Sequence, residues 1–481
     1  MPRQNALKKY LSGKKQRFTG WSASILLALA LVLSLLLVFL FRSPDAMLPG
    51  SEAYFLVRSA AEFSFEDELS FGGRFAAYPI GARAVLSIVP DFIIPLVPFI
   101  LGAISFLLFM LLLKDFGIRQ KKLALAVLIA SPSFIWLFNT LNSASFAVCF
   151  GLLGFWLFSR KSFARVLSIP AFIAIPLFDF TIGLLSLAVL FFYGFFMLKR
   201  KKLLFVTLAF SIIASAAYYG WLVWNAGFER VMFETGATGF NAALSSFISD
   251  LGAGYGIGIF ALILAVFGII SCWDEKYKNL FVFFSVSLLF AAGFFLPKAI
   301  LLLNFFIAVF AALGFNDIYN SRWDNKIFRN FVLLILACGL LFSCISYCQR
   351  FAAEEPNPGT IKAMEFLESL PEGTVFSDYG NGHFISFAGK KSVMDGNLWL
   401  APDVNERWSD SQELFNTRDL EKAKSIIVKY GIKYIWIDSA IMQKKWKSQE
   451  DGLMFLLKYS KSSFKNIYNR EGVQVWEVIT E

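Results

Sequence analysis

Hydrophobic positions in this chain form long runs, with the polar positions gathered into short segments between them. A run near twenty apolar residues is what an α-helix needs to cross a bilayer, so the pattern predicts a polytopic α-helical membrane protein. The first run is Trp21–Phe41, followed by Val89–Leu113, Leu123–Phe138 and a fourth between Asn142 and Arg160. Val166–Phe178, Thr181–Leu198, Leu203–Trp224 and Leu251–Cys272 come next, then Leu280–Leu296, Ala299–Phe315 and Phe331–Tyr347. That makes about 11 spans, with 11–13 as the range because the fifth is short.

The pattern changes near Gln349. Residues 349–359, with Glu354-Glu355-Pro356-Asn357-Pro358-Gly359, read as a linker between a membrane domain (1–348) and a soluble one (360–481). Thr360–Leu370 has a helical period with Thr360 as its cap, and Thr374–Ser377 and Lys391–Met394 are short strands. A helix at Leu414–Tyr430, a buried strand at Tyr434–Ile437, a helix at Leu453–Tyr459 and a strand at Val473–Val478 complete the series. The alternation predicts a small C-terminal α/β domain.

Composition agrees: 57% of residues are hydrophobic and only 17% charged. The net charge of +10 suggests nucleic acid until its distribution is read. The basic residues lie at the N-terminus and in short segments such as Lys114–Lys122, Arg160–Arg165 and Lys199-Arg200-Lys201-Lys202, as positive-inside topology requires. Nucleic-acid binding is thereby excluded. A cytoplasmic N-terminus with an odd span count puts residues 360–481 outside a cell membrane. The first run is too long for a signal peptide's apolar region and lacks a small-residue cleavage site, so it reads as an uncleaved span. The five cysteines form no CxxC pair, and one histidine, His383, excludes a multi-histidine metal centre.

The outer loops carry the candidate chemistry. Ser51 stands as an N-cap with Glu52 in the first turn, where the helix dipole favours a carboxylate and free N–H groups suit a phosphate. Asp45, Glu62, Glu66, Asp67, Glu68, Asp179, Glu229 and Glu234 are the other outer acids. Acids at a membrane mouth are functional candidates, whereas Glu66-Asp67-Glu68 reads as a solvated face. Arg58 pairs with Glu62 one turn on, or forks onto a phosphate. In the C-terminal domain Asp378 and Tyr379 follow a strand, where α/β domains bind ligands. His383 reads first as a surface or capping residue, with proton transfer or substrate contact as the alternative. No P-loop, HExxH or nucleophile elbow occurs.

Together these segments resemble the type-C glycosyltransferases, and within them the catalytic subunit of archaeal oligosaccharyltransferase. Glu52-Ala53-Tyr54-Phe55 with Arg58 is similar to that family's first-loop acid, aromatics and arginine. Phe376-Ser377-Asp378-Tyr379-Gly380 resembles its Trp-Trp-Asp-Tyr-Gly motif, with Asp395-Gly396-Asn397 in the matching flank. Glu234 matches the family's loop glutamate, and Lys298 stands where the family often has arginine. Phe376 and Ser377 replace both tryptophans, and Asn139-Thr140-Leu141-Asn142 has no Asp-x-Asp-like pair. Glycosyl transfer is therefore a firmer implication than sequon reading.

The resemblance implies transfer of a sugar or oligosaccharide from a polyprenyl-phosphate-linked donor to a protein, glycan or lipid acceptor at the outer face. Glu52 is then the catalytic carboxylate, with Asp45 as its alternative. Arg58 and Lys298 meet the lipid phosphate, and Glu234, Asp179, Asp378, Tyr379 and His383 contact substrate. A divalent ion (Mg or Mn) held by Glu52, Asp179 and Glu234 is a further expectation. A transporter, or a non-catalytic relative that binds glycan or lipid, is the competing reading. The transporter reading predicts charges inside the spans and repeated broken helices.

Overall fold

The computed structural model describes residues 48–479 apart from 72, 77, 161, 199–200, 228–246 and 449, together with 29–32, 34, 36, 38 and 41. Asp45, Glu229, Glu234 and most of the first predicted span lie outside the described residues. Each of the other predicted spans has an apolar helix in its place.

Helix α1 (Ser51–Ala61) opens the first outer loop, followed by the two-residue hairpin β1 (Glu66–Asp67) and β2 (Arg74–Phe75) and by α2 (Ile80–Leu86). A 3-10 turn leads into α3 (Val97–Asp115), and the two make a 25-residue span from Asp91. The third predicted span is broken: α4 (Lys121–Ile129) and α5 (Pro132–Asn139) meet at 63°. Ser131 caps α5 by accepting from the Phe134 N–H, and Pro132 takes the first helical position, where its missing N–H does no harm. Next come α6 (Ser143–Ser159), α7 (Ser168–Phe178), α8 (Phe180–Met197), α9 (Lys202–Ala226) and α10 (Ile259–Cys272). Helices α11 (Leu280–Gly293), α12 (Ala299–Asn320) and α13 (Lys326–Ala352) complete the bundle. By length and composition 5 of the described helices can cross a membrane, or 6 if the bent pair is one span. Length and composition thus count fewer spans than the sequence pattern, because α6, α7 and α11 are apolar but short.

Helices α10 and α12 cross at glycine. A Cβ at Gly268 would stand 1.9 Å from the Phe310 carbonyl oxygen, and one at Gly314 would stand 2.0 Å from that of Leu264. Such backbone contact is how membrane helices associate without a hydrophobic driving force. Gly314→Leu should force the pair apart and destabilise the fold by about 1–3 kcal/mol or more, read as a lower unfolding temperature in detergent.

The C-terminal part begins with α14 (Pro358–Ser369), capped by Asn357, which accepts from the Thr360 N–H at 2.9 Å; the cap is therefore not Thr360. Strand β3 (Thr374–Phe376), α15 (Gly382–Phe387), β4 (Lys391–Ser392), α16 (Val404–Asn416), α17 (Leu420–Tyr430) and β5 (Ile432–Asp438) follow. The chain then runs through α18 (Ser439–Lys445), α19 (Gly452–Tyr459), β6 (Phe464–Arg470) and β7 (Val473–Val478). The sheet order is β4-β3-β5-β7-β6, parallel across the first three strands and antiparallel thereafter. The single helix expected at Leu414–Tyr430 is two, because Asp419 caps α17 by accepting from the N–H groups of Glu421 and Lys422. Strand β6 escapes a reading by alternation because Lys465, Asn466, Asn469 and Arg470 are exposed on an edge.

The first outer loop joins this sheet. Phe71 N–H donates to the Ser392 carbonyl at 2.9 Å, and Ser392 N–H donates to the Leu69 carbonyl at 2.8 Å, so residues 69–71 lie along the β4 edge. The Phe71 ring is buried in the same core as Phe376, Leu414 and Phe415. The sheet is thus tied to the bundle through a loop some 320 residues earlier in the chain.

Candidate active site

Glu52 lies in the first turn of α1. Gly50, at φ +84°, is the residue before the helix and makes no side-chain cap, so Ser51 is the first helical residue rather than the cap. The exposed Glu52 carboxylate accepts from the Ser143 backbone N–H through Oε1 at 3.4 Å. Ser143 is the first residue of α6, whose cap Asn142 accepts from the Ser145 N–H at 2.8 Å. One carboxylate therefore serves the N-terminal ends of two helices, where both dipoles favour negative charge.

Other helix ends meet there. One turn into α6, Phe146 stacks on Phe178 with ring centroids 5.3 Å apart, and Phe178 ends α7. The next residue, Asp179, caps α8 by accepting from the Ile182 N–H at 2.9 Å and pairs with Lys298 Nζ at 2.8 Å. Lys298 precedes α12. Gly50 N–H donates to the Glu355 carbonyl at 2.9 Å, which brings the segment after α13 to the start of α1. Glu52, Asp179 and Lys298 stand at neighbouring helix ends on the side that carries the C-terminal sheet; of the expected donor trio, Glu234 lies outside the described residues. At the opposite end of α6, Arg160 pairs with Asp115 at 3.2 Å.

Arg58 is elsewhere. Its guanidinium is buried and forks onto Asp67 through two 2.8 Å bonds, while Glu62 stands 3.9 Å away. Glu66 and Glu68 are exposed as a solvated face requires, but Asp67 between them points inward by strand alternation. Burial would raise the Asp67 carboxyl, but the Arg58 fork and nearby Arg74 hold it down at about 2.

Arg74 links that pair to the sheet. It donates to Asp395 at 2.7 Å and 3.4 Å, bonds the Tyr78 hydroxyl, and lies over the Phe71 ring. His383 is buried beside this chain, neither a surface nor a capping residue. Its ring lies 5.1 Å from Phe55, Asn397 Nδ2 is 3.3 Å from Nε2, and Nδ1 is 3.8 Å from Asp395 Oδ2. Asp378 instead caps the turn at Gly380 and stands 3.7 Å from Lys444 and Lys445. Tyr379 is 5.9 Å from Trp408. The sequence reading missed Arg74 and Asp67 as buried partners; the period-two alternation at Glu66-Asp67-Glu68 was the available signal.

Burial pushes His383 below its usual 6.5; Asp395 opposes this, and Arg74 and Arg58 reinforce it. The unfolded chain therefore takes up a proton that the folded protein resists. Stability should decline as pH falls below about 6.5, with a slope no steeper than about 1.4 kcal/mol per pH unit, and level off below the folded pKa. Thermal unfolding across this window checks it, and His383→Gln should flatten the curve.

Among the described residues no three carboxylate, imidazole or thiol groups converge where a metal ion could sit. Asp179 is committed to Lys298 and the α8 cap, and Glu234 lies outside the described residues.

No family model matches the sequence, and no curated protein does. Solved structures do match in shape. The oligosaccharyltransferase of Archaeoglobus fulgidus superposes at TM-score 0.62 and 11% identity, covering 97% of this chain and 75% of that one. The mycobacterial arabinofuranosyltransferase AftD gives 0.59 at 15% identity, over 95% of this chain and 40% of its own. ArnT from Cupriavidus metallidurans gives 0.57 at 12% identity, over 95% of this chain and 98% of its own. The fold is that of the type-C glycosyltransferases.

Proposed function

We propose that the protein is a membrane glycosyltransferase that moves a sugar or oligosaccharide from a polyprenyl-phosphate-linked donor to a protein, glycan or lipid acceptor at the outer face of the cell membrane. The observation that carries this reading is the exposed Glu52 carboxylate at the α6 N-terminus, beside the helix ends that hold the Asp179–Lys298 pair. Support for the donor class comes from two relatives in shape. The A. fulgidus enzyme has been solved with a dolichol-phosphate, and ArnT with undecaprenyl phosphate. The positive-inside charge pattern supports an extracytoplasmic C-terminal domain.

In this mechanism Glu52 receives the proton of the acceptor nucleophile as the acceptor atom forms its bond to the anomeric carbon. The bond from that carbon to the phosphate oxygen breaks, and its electron pair leaves with the polyprenyl phosphate. Lys298 is one-third exposed and offers its ammonium to the departing charge. Asp45 is the alternative base. Arg58, engaged by Asp67, acts on the helix that carries Glu52 rather than on the phosphate. Tyr379, Asp378 and His383 belong to the acceptor side, with the two tryptophans of the archaeal motif absent. Purified protein in proteoliposomes should release sugar from a polyprenyl-phosphate donor in the presence of a competent acceptor; no release from any such donor would overturn the reading.

A further inference from the structure

We propose that Arg74 is a positioning residue for Glu52, locking helix α1 to the C-terminal sheet through a chain of four buried charges. The functional half rests on the reading of Glu52 above, while the structural half is testable without a transfer assay.

The chain runs Asp395, Arg74, Asp67, Arg58, with side chains 0%, 1%, 6% and 7% exposed. Its charges alternate in sign and cancel, as buried ions must. Asp395 belongs to the sheet domain and Arg58 to α1, about one and a half turns beyond Glu52. Arg74 alone reaches both carboxylates, Asp395 at 2.7 Å and Asp67 at 3.9 Å. Around it the same two parts touch again: Tyr54 packs edge-on against Phe384 and Phe387, and Phe55 against His383. Without Arg74, Asp67 keeps Arg58, but Asp395 loses its cation and the nearest replacement is His383, 3.8 Å away. The break therefore falls between α1 and the sheet, leaving the membrane helices untouched.

The chain has a single histidine, so its imidazole resonance reports this junction alone. The charged groups facing it are Asp395, Asp67, Arg74 and Arg58. In full-length, tag-free protein in nanodiscs, Arg74→Met should raise the imidazole pKa by about one unit or more. It should also speed amide exchange at residues 55–61 by about tenfold or more while α12 stays protected. Asp395→Asn should loosen the same amides but move the imidazole the other way, and Arg74→Lys should restore part of the protection. Transfer by Arg74→Met should fall about a hundredfold, with no further loss when Arg74→Met is added to Glu52→Gln. Unchanged exchange and titration in folded Arg74→Met, loosening spread evenly over the fold, or additive losses of transfer would each overturn the proposal. If Glu52→Gln alone leaves transfer intact while Arg74→Met still frees α1, the catalytic reading falls and the lock stands.

Discussion

Asp67→Asn should destabilise the protein by about 3–5 kcal/mol, the cost of removing one partner from a buried ion pair. The substitution keeps the shape of the side chain, removes its charge and turns one of the two oxygens that accept from Arg58 into a donor. Arg58 then keeps only Glu62, 3.9 Å away and mostly in water, and Arg74 keeps only Asp395. A surface pair would contribute less than about 1 kcal/mol, so the size of the loss distinguishes a buried network from a solvated face. Because the Asp67 carboxyl sits at about 2 against an ordinary 3.8, its contribution is complete above about pH 4 and disappears as pH falls toward 2. Denaturant unfolding of wild type and variant near neutral pH measures the difference, and acid should narrow it.

The helices of the bundle were readable because apolar runs need no partner to reveal themselves: most of the expected spans overlap a described helix, although α10 begins only at Ile259 and the third span is a bent pair. The breaks were harder. Pro132 marked the bend between α4 and α5, but only the structure shows that Ser131 caps a second helix instead of continuing the first. In the C-terminal domain the buried strand β5 and closing strand β7 were evident from their apolar pattern. Edge strand β6 was not, since it has too few buried positions to alternate. Loop placement singled out Glu52, Asp179 and Lys298 one by one, and not the Asp179–Lys298 pair. The buried chain was not readable, because Asp395 lies more than 300 residues from the other three members and each reads locally as an ordinary surface charge. Arg58 illustrates the limit: its spacing favours Glu62, yet the fork goes to Asp67 across a turn.

Glu52→Gln should leave the fold intact and remove transfer. The side chain is exposed, and the oxygen that accepts from the Ser143 N–H is one that glutamine retains. The amide cannot take the acceptor proton, and loss of a general base typically slows reaction by about 10²–10⁴-fold. Lys298→Met is the contrasting case. It removes the ammonium proposed to meet the leaving group and leaves Asp179 with only its Ile182 N–H among the described partners, so both stability and transfer should suffer.

The most direct measurement is therefore the initial rate of sugar release from a polyprenyl-phosphate donor in proteoliposomes, for wild type and Glu52→Gln, with undecaprenyl phosphate binding followed in parallel. A fall of about a hundredfold or more with lipid binding retained is the predicted result. Equal rates in the two proteins would contradict the assignment of Glu52 as the reacting carboxylate.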